Sequence, residues 1–464
     1  MQCPKYLWLA VNKPDLAQEA DSFRFEQGYE VENYARELSP NGVEVKSEDE
    51  TRKLVSKGEK TLFQAVAKTA NLYCVADILV FDEQLQVWDI YEVKSSNDIE
   101  DIYTHDLAFQ RVCFERAGYK IGKTYIVHLN KEYIRQGEID PEDLLTKEDL
   151  TEQVLAQMPD TEDRIYNALR VLERKDKPEC RILKQCGKPY VCNFLQYCFS
   201  DIPEESIYDL AGGLTEKRLN MLLDEGVLKI KDIPADMVTS KAGKRHYDSI
   251  VHKEIDIDAD SIKKELTQLQ YPIYFLDYET FSPAIPMFDG YKPYQRIVFQ
   301  YSLHVLRSPD GELEHYEYLH TDLTDPTEKL AEALKPQIEK EGSVIAWYMS
   351  FEKGCNSEMG ERRPQFQDFF QQINDRMYDL MSPFKQGLYV HRGFKGSASI
   401  KKVLPVLVPE LSYKDLDIQE GMAASKAWYE MIQKDDENIK NNLLKYCELD
   451  TLAMVEILRK LKSL

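Results

Sequence analysis

The sequence predicts a mixed α/β protein of at least two domains. Its 464 residues exceed the size at which a single hydrophobic core stops growing. Two apolar runs, at 74–81 and 87–93, flank the polar turn DEQLQ and predict a β-hairpin. From residue 271 strand-like runs come first, and helical periodicity returns from 439 to the end. The later half is therefore expected to form a mixed sheet flanked by helices.

Composition narrows the class of protein. Hydrophobic residues make up 43% and charged residues 30% of the chain, which is typical of soluble globular proteins rather than disordered, collagenous or coiled-coil ones. Long apolar runs and the apolar core of a signal peptide are both missing, so we expect a cytoplasmic protein with no membrane association. A net charge of −22 argues against coating nucleic acid through a positive surface. Local basic patches or metal ions would have to contact phosphate.

Three segments are expected along the chain. Residues 1–203 would form an α/β domain, 204–265 a short helical connector and 266–464 a second α/β domain. The acidic stretch 132–163, with Pro141 and Pro159 as helix breakers, is interpreted as a solvated, mostly helical connection. Within the connector, GVLKIKDIP is faintly similar to helix-hairpin-helix DNA-binding turns, with a plain helical spacer as the alternative.

A pair of carboxylates ends the first strand of the later half. In YPIYFLDYET, strand alternation places Asp277 and Glu279 on one face, after Ile273 and Phe275. Two neighbouring acids on a buried face repel each other unless cations lie between them. The alternative is a strand end whose acids both reach solvent.

Further acids are placed near this pair. Helical spacing puts Asp450 on the inward stripe of the last helix, with Tyr446 one turn earlier, where its hydroxyl could orient a water molecule. Glu352 follows the apolar run SVIAWYM at a strand-to-helix junction. Asp379, in RMYDLM, is a further acid close to apolar residues, and a helix cap or surface position is the favoured interpretation of it. Hard oxygen ligands of this kind favour Mg2+ or Mn2+, and two such ions can catalyse phosphodiester hydrolysis.

These residues resemble a known superfamily in their order. FLDYET, SFEKG and YCELD are similar to the three motifs of DnaQ-like DEDD 3′-5′ exonucleases with a YxxxD third motif. The resemblance implies a ribonuclease-H-like fold, a catalytic Tyr446 and a set of metal ligands, namely Asp277, Glu279, Glu352 and Asp450. The chain departs from the superfamily at Glu352, where aspartate is usual, and Asp379 is the substitute ligand.

An acid-free basic segment between these motifs is a candidate substrate surface. Lys395, Lys401 and Lys402 could contact the nucleic-acid backbone, and Tyr389 and Phe394 could stack on bases. A solvated basic loop is the alternative.

The predicted hairpin carries a second candidate site. Asp77 lies in its first arm, and Glu92 and Lys94 lie two residues apart on one face of the second. The acids would hold Mg2+ or Mn2+, and the lysine would position or activate the attacking water and stabilise phosphate charge.

This order resembles the RecB-like PD-(D/E)xK nucleases, including CRISPR-adaptation exonucleases that contain a 4Fe-4S cluster. The resemblance implies a restriction-endonuclease-like fold. Gln110, followed by Phe114, is similar to the QxxxY motif, with Phe in place of Tyr, and implies substrate binding. Gly28 and Glu32 are similar to GxxxH, with Glu in place of the metal-binding His.

Cysteine usage points to a metal centre. Four of nine cysteines lie between 180 and 198, and a reducing cytoplasm disfavours disulfides. The resemblance implies that a 4Fe-4S cluster is bound by four of the nine: Cys3, Cys186, Cys192 and Cys198. Cys180 continues the six-residue spacing of Cys186, Cys192 and Cys198, which leaves a local four-thiolate site open as an alternative. Zinc is an alternative to iron-sulfur.

The whole chain resembles an uncharacterised bacterial family in which a RecB-like iron-sulfur nuclease domain precedes a DEDD exonuclease-like domain. The implied activity is Mg2+- or Mn2+-dependent hydrolysis of DNA or RNA from two centres, with single-stranded ends favoured. One alternative is a nucleic-acid-binding or complex-assembly protein in which one or both centres are inactive. A zinc-bound structural protein is a second alternative.

Overall fold

The computed structural model describes residues 2–18, 22–252, 255–434 and 436–464 and divides into two compact units. Unit 1 combines Met1–Asp201 with Pro283–Gln295, and unit 2 combines Ile202–Ser282 with Arg296–Leu464. Both units are mixed α/β. The predicted connector is thus part of unit 2. A short segment of the later half joins unit 1 because Ala284 and Ile285 are buried in that unit's core.

Within the described ranges, unit 1 is built on a six-stranded sheet in the order β1-β2-β3-β4-β5-β6. The strands are β1 (Val43–Glu44), β2 (Thr61–Lys68), β3 (Tyr73–Asp82), β4 (Val87–Lys94), β5 (Ile121–Leu129) and β6 (Leu145–Asp149). The helices are α1 (Pro4–Asn12), α2 (Ser22–Glu37), α3 (Glu48–Ser56), α4 (Asp101–Arg116), α5 (Pro141–Leu144), α6 (Thr151–Leu172) and α7 (Leu195–Phe199). Strands β3 and β4 are antiparallel, which confirms the predicted hairpin.

Side-chain alternation changes phase in the middle of β2 and β3. Leu62 and Ala65 lie in the same apolar cluster although three positions separate them, and so do Ala76 and Leu79 on β3. The change falls at Gln64 and Asp77, where the β2–β3 register skips a pair. Strict alternation would place such residues on opposite faces. The irregularity therefore lies at the position of the predicted acid Asp77.

The interpretation of 132–163 as a mostly helical connection is wrong in two respects. Strand β6 lies within it and pairs antiparallel with β5 at the edge of the sheet, while Leu144 and Leu145 are buried. Pro159 lies inside α6 rather than at an end. Helix α6 buries Val154 and Ile165 in the core of unit 1, so tertiary packing outweighs the local preference of proline.

Unit 2 contains, in the described chain, a five-stranded sheet in the order β10-β9-β8-β11-β12 and a two-stranded pair of β7 and β13. The strands are β7 (Asp256–Ile257), β8 (Ile273–Phe281), β9 (Ile297–Leu306), β10 (Leu313–Leu319), β11 (Ser343–Ala346), β12 (Met377–Asp379) and β13 (Tyr389–Val390). The helices are α8 (Glu216–Asp224), α9 (Lys241–Val251), α10 (Ala259–Leu266), α11 (Thr327–Leu334), α12 (Met349–Arg362), α13 (Gln367–Asp375), α14 (Ser382–Gln386), α15 (Ile400–Leu407), α16 (Gly421–Lys434) and α17 (Glu437–Lys462).

Helices cover the two faces of the larger sheet of unit 2. Strands β10, β9 and β8 are antiparallel neighbours, whereas β11 runs parallel to both β8 and β12. Tyr274, Leu276 and Tyr278 pack towards helices α11, α12 and α13. The alternate residues of β8 face α17, which contacts β8 and β9. The predicted mixed sheet flanked by helices is confirmed, and it directs Asp277 and Glu279 towards the last helix.

In the part of the chain that the structure describes, no helix combines the length and the apolar character needed to cross a bilayer.

Candidate metal and catalytic centres

Unit 2 gathers four predicted acids around one cavity of about 350 Å3. Strand β8 supplies Asp277 and Glu279, the first turn of α12 supplies Glu352, and α17 supplies Asp450. We call this the carboxylate cavity. Its acids come from three elements far apart in the sequence, and the lining also includes Tyr446 and Lys401.

Burial and mutual repulsion make these acids reluctant to ionise. Burial, reinforced by the charge of Asp450, raises the pKa of both Asp277 and Glu279 well above the ordinary range. Burial, together with Asp379 and Asp450, raises the pKa of Glu352 to about 8. Burial also raises the pKa of Asp450 to about 6, against the lowering influence of its hydrogen bond from Tyr413. Positive charge in the cavity would relieve this repulsion.

Hydrogen-bond donors of the described residues do not satisfy all the carboxylate oxygens of this cavity. Glu352 Oε2 is buried and accepts no hydrogen bond within the described ranges. Ligand atoms of Asp277, Glu279 and Cys447 lie within 4.8 Å of one another. Burial raises the pKa of the Cys447 thiol, which stays protonated and donates to Asp277 Oδ2 over 3.7 Å. The remaining ligands are carboxylate oxygens, so the residues present fit Mg2+ or Mn2+.

Tyr446 and Lys401 line the cavity, and Tyr413 contacts its acid Asp450 from outside the lining. Tyr413 donates to Asp450 Oδ1 over 2.5 Å, and Lys401 Nζ donates to the Tyr446 hydroxyl over 3.3 Å. Burial and the charge of Asp450 raise the pKa of both phenols, which keeps them as hydrogen-bond donors. Sequence reasoning missed Tyr413 because the segment ELSYKDL carries no motif and its contact with α17 is formed only by folding.

Other predicted residues of unit 2 lie outside this cavity. Lys395 and Lys402 are exposed and are not part of its lining, whereas their neighbour Lys401 is. Phe394 is buried and Tyr389 is partly buried, and their rings pack on each other in a tilted arrangement with a centroid distance of 5.6 Å. Asp379 accepts the backbone N–H groups of residues 348 and 381, both over 3.1 Å, so it acts as a turn cap close to Glu352.

Unit 1 brings its predicted acids and lysine to one large cavity of about 860 Å3. Asp77, Glu92 and Lys94 all line it. Lys94 Nζ donates to Glu92 Oε1 over 2.8 Å and to Asp106 Oδ2 over 2.9 Å, and buried Gln110 donates to Glu92 Oε2 over 2.6 Å. Burial opposes the charge of Lys94, but the two carboxylates raise its pKa. Lys94 is therefore a cation here rather than a base.

Gln64 connects the remaining acids of this cavity. It donates to Glu32 Oε1 over 2.6 Å and to Asp77 Oδ1 over 3.1 Å, and the backbone N–H of Val93 donates to Asp77 Oδ2 over 2.8 Å. Burial, then the charge of Glu92, raises the pKa of Asp77. Gln64 has a φ of 55°, a strained value for a residue with a side chain. The strained residue lies where the side-chain alternation of β2 and β3 changes phase. The pattern of apolar and polar residues in the sequence does not indicate this change.

The position where the family motif has His is held by Glu32. Arg36 donates two N–H groups to Glu32 Oε1, over 2.7 Å and 3.0 Å, so with Gln64 this oxygen already has three donors. Gly28 also lines the cavity. Phe114, in place of the motif tyrosine, is fully buried in the core of unit 1, where it has no hydroxyl to offer.

Five cysteines surround a small cavity of about 10 Å3 in unit 1. Four of them are the predicted cluster ligands, and the fifth is Cys180. Burial raises the pKa of Cys180, whose sulfur also interacts with that of Cys3. Cys3 and Cys180, the two alternatives for the fourth ligand, thus lie side by side. The helix α1 that follows Cys3 packs on the cysteine segment through Leu9 and Phe194.

The spacing of these sulfurs bears on the metal. No three of them lie within 4.8 Å of one another in the described chain. Four sulfurs at 2.3 Å from one tetrahedral zinc would be about 3.8 Å apart. Thiolates bind both zinc and iron-sulfur clusters, so the choice between the two stays a prediction. Residues of the same segment, from Gly187 to Asn193, also line the large cavity of unit 1.

Comparisons with known proteins point to a family without an assigned activity. A family model described as "Domain of unknown function (DUF2779)" matches residues 274–399, which include Asp277, Glu279 and Glu352. The chain is 25% identical over 230 residues to "Uncharacterized protein MG366" of Mycoplasma genitalium, covering 44% of this chain and 34% of that protein. It is 26% identical over 259 residues to the Mycoplasma pneumoniae homolog, covering 51% and 39%.

The chain therefore spans little more than a third of the length of the curated relatives it matches. No solved structure matches it. These similarities support a relationship to an uncharacterised protein family that shares the region around β8 and α12.

Proposed function

We propose that unit 2 is a Mg2+- or Mn2+-dependent nuclease that hydrolyses phosphodiester bonds of DNA or RNA. The observation that carries the proposal is the carboxylate cavity: four acids from three elements, three of them buried and Asp277 partly buried, repel one another, and Glu352 Oε2 lacks a donor within the described residues. Keeping such a group together is costly for a folded protein unless cations bind it.

The residues of the cavity have separate roles in this proposal. Asp277, Glu279, Glu352 and Asp450 would hold the ions, which supply activation of water and stabilisation of charge on the attacking and leaving oxygens. Tyr413 orients Asp450 through its hydrogen bond. Tyr446, protonated and at the cavity, donates a hydrogen bond to water or to a phosphate oxygen.

Substrate binding would combine charge with stacking. Lys401 lines the cavity and offers a cation to phosphate, and Trp347 and Phe351 line it with aromatic faces on which bases could stack. Stacking needs unpaired bases, so single-stranded ends are the proposed substrate. Lys395 and Lys402 are exposed and would contact the backbone of the strand further away.

The sheet of unit 2 supports the ribonuclease-H-like interpretation. In the sheet, the antiparallel strands β10, β9 and β8 are followed by β11 and β12, which run parallel to β8. Asp277 and Glu279 lie in the second half of the central strand β8. The C-terminal helix α17 crosses the same face and adds Asp450. The acids thus come from β8, α12 and α17, in the chain order of the three motifs that resemble those of the DEDD exonucleases.

For unit 1 we propose a PD-(D/E)xK centre with a 4Fe-4S cluster held by the cysteine cage. Asp77, Glu92 and Lys94 line one cavity on adjacent strands, as that chemistry requires. One observation favours a nucleic-acid-binding role without cleavage: all four carboxylate oxygens of Asp77 and Glu92 already accept hydrogen bonds from protein donors. A cation would have to displace some of these donors.

End-labelled single-stranded DNA and RNA, incubated with Mn2+, test both units in one assay. Asp277→Ala should lower hydrolysis by about 10³-fold, because several kcal/mol of charge stabilisation are lost with a metal ligand. Asp310→Ala, at an exposed loop residue of the same unit, is the matched control and should leave activity unchanged. Lys94→Ala reports on unit 1. If neither Asp277→Ala nor Lys94→Ala alters a measurable activity, both centres are wrongly assigned.

A further inference from the structure

A second group of metal-ligand side chains lies at the edge of the larger sheet of unit 2. His304 on β9, His315 on β10 and Glu448 on α17 each offer one ligand atom, and the three atoms lie within 4.8 Å of one another. His304 and His315 are direct cross-strand partners, with ring centroids 4.4 Å apart. None of the three lines the carboxylate cavity as the structure describes it.

A chain of hydroxyl groups contacts both imidazoles and is compatible with one tautomer of each. Thr451 Oγ1 donates its single proton to the carbonyl oxygen of Glu448 over 3.0 Å. Its other two contacts are with Ser302 Oγ at 2.7 Å and His304 Nδ1 at 2.8 Å, and either partner can be the donor in each. With the Thr451 proton on Glu448, Thr451 accepts both of these hydrogen bonds, and Ser302 in turn accepts from His315 Nε2 at 3.0 Å.

In this tautomer the other ring nitrogen of each histidine carries a lone pair. With protons on His304 Nδ1 and His315 Nε2, a neutral ring leaves His304 Nε2 and His315 Nδ1 unprotonated. His315 Nδ1 lies 3.9 Å from Glu448 Oε1, another acceptor. Imidazoles that bind metals characteristically donate their second ring N–H to a neighbouring acceptor, which fixes the tautomer. Both histidines have that arrangement in this tautomer.

We propose that His304, His315 and Glu448 bind a divalent transition-metal ion of the zinc class. Two imidazoles and one carboxylate are ligands of the type that zinc takes, and they leave a fourth position for water. The Glu448 side chain is 45% exposed, so the ion can reach the site from solvent. The ion would join β9 and β10 to α17, the helix that carries Tyr446 and Asp450.

Zinc titration of the full chain tests this site. The protein is purified with its cysteine cage in the state in which it is isolated, and loosely bound metal is removed on a chelating resin. Zinc is then added in a calorimeter, and bound metal is counted by mass spectrometry. Wild type should bind one zinc equivalent more than His315→Gln or Glu448→Gln. Glu456→Gln, on the same helix and also partly exposed, is the matched control and should bind as wild type does.

Thermal melting gives an independent readout. Zinc should raise the Tm of wild type and of Glu456→Gln but not that of His315→Gln or Glu448→Gln, because only a site present in the folded state stabilises it. If both ligand variants keep the zinc equivalent and the shift in Tm, the site is wrong. Glu448→Gln keeps the test valid if His315→Gln disturbs the sheet.

Cobalt separates this site from the cysteine cage. Co2+ bound by imidazole and carboxylate should show only weak visible bands, which the two ligand variants should lose. An intense thiolate charge-transfer band for the same equivalent would place the ion in the cysteine cage and overturn the proposal. Every measurement here is one of binding, so its outcome does not depend on nuclease activity in unit 2.

Discussion

The two acidic cavities differ in how their carboxylate oxygens are satisfied. In unit 1, Asp77 and Glu92 accept protein donors at every oxygen, including the side chains of Gln64, Lys94 and Gln110. In unit 2, Glu352 Oε2 lacks a donor in the described chain. Burial raises the pKa of acids in both places, so burial alone does not distinguish them. The supply of donors distinguishes them, and it is the reason that cation binding is proposed more strongly for unit 2.

The largest expected effect is on catalysis in unit 2. Asp277→Asn should lower nuclease activity by about 10³-fold, because it removes a charged ligand without changing size. The same change should raise the stability of the metal-free protein by about 1 kcal/mol, since it removes one buried repelling charge. Activity assays and urea unfolding with EDTA measure the two effects, with Asp310→Asn as control. Loss of stability without loss of activity would contradict the comparison.

The next effect is on the pH dependence of stability without metal. The pKa of Glu352 is raised from 4.5 to about 8, so the folded state binds the proton more tightly than the unfolded state between these values. Stability must therefore fall as pH rises through this window, by several kcal/mol. Urea unfolding between pH 5 and pH 9 should show the fall with EDTA. Excess Mg2+ or the change Glu352→Gln should flatten it, and a flat profile in EDTA would contradict the assignment.

In unit 1, loss of a hydrogen-bond donor should lower the stability, whereas Asp277→Asn should raise the stability of the metal-free protein. Gln110→Leu removes the donor to Glu92 Oε2 at a buried position. A buried oxygen left without its donor costs about 2 kcal/mol of stability. Differential scanning calorimetry should detect this as a lower Tm, with Gln371→Leu, on exposed helix surface, as control. An unchanged Tm would mean that the hydrogen bonds of unit 1 do not stabilise it, and the contrast between the cavities would fail.

The smallest effect concerns orientation of one ligand. Tyr413→Phe removes the hydrogen bond to Asp450 Oδ1, and about a tenfold loss of activity is expected, equal to about 1.4 kcal/mol. Since that bond lowers the pKa of Asp450, the acidic limb of the pH-rate profile should move to higher pH. Tyr316→Phe, which removes a similar phenol-to-carboxylate bond at the sheet edge, is the control. A loss of activity with no shift of the limb would point to a purely structural role.

Much of each candidate site follows from local patterns. Alternation along β8 placed Asp277 and Glu279 on one face, helical spacing placed Tyr446 beside Asp450, and the hairpin placed Asp77 near Glu92. These positions depend on the periods of strand and helix, which the sequence carries directly. Lys395 and Lys402 show the limit of such local patterns. Composition indicated the basic segment, but of the three lysines predicted to contact substrate only Lys401 lines the cavity.

The sequence by itself thus determined the mixed α/β class, the order of the acidic motifs and the faces on which they lie, because each depends on neighbours within a few residues. Tertiary structure alone decided that Tyr413 reaches Asp450, that Gln64 joins Glu32 to Asp77, and that Cys180 lies beside Cys3. It also paired His304 with His315 under α17. Such contacts join segments distant in sequence, and their geometry exists only after the strands have paired and the helices have packed.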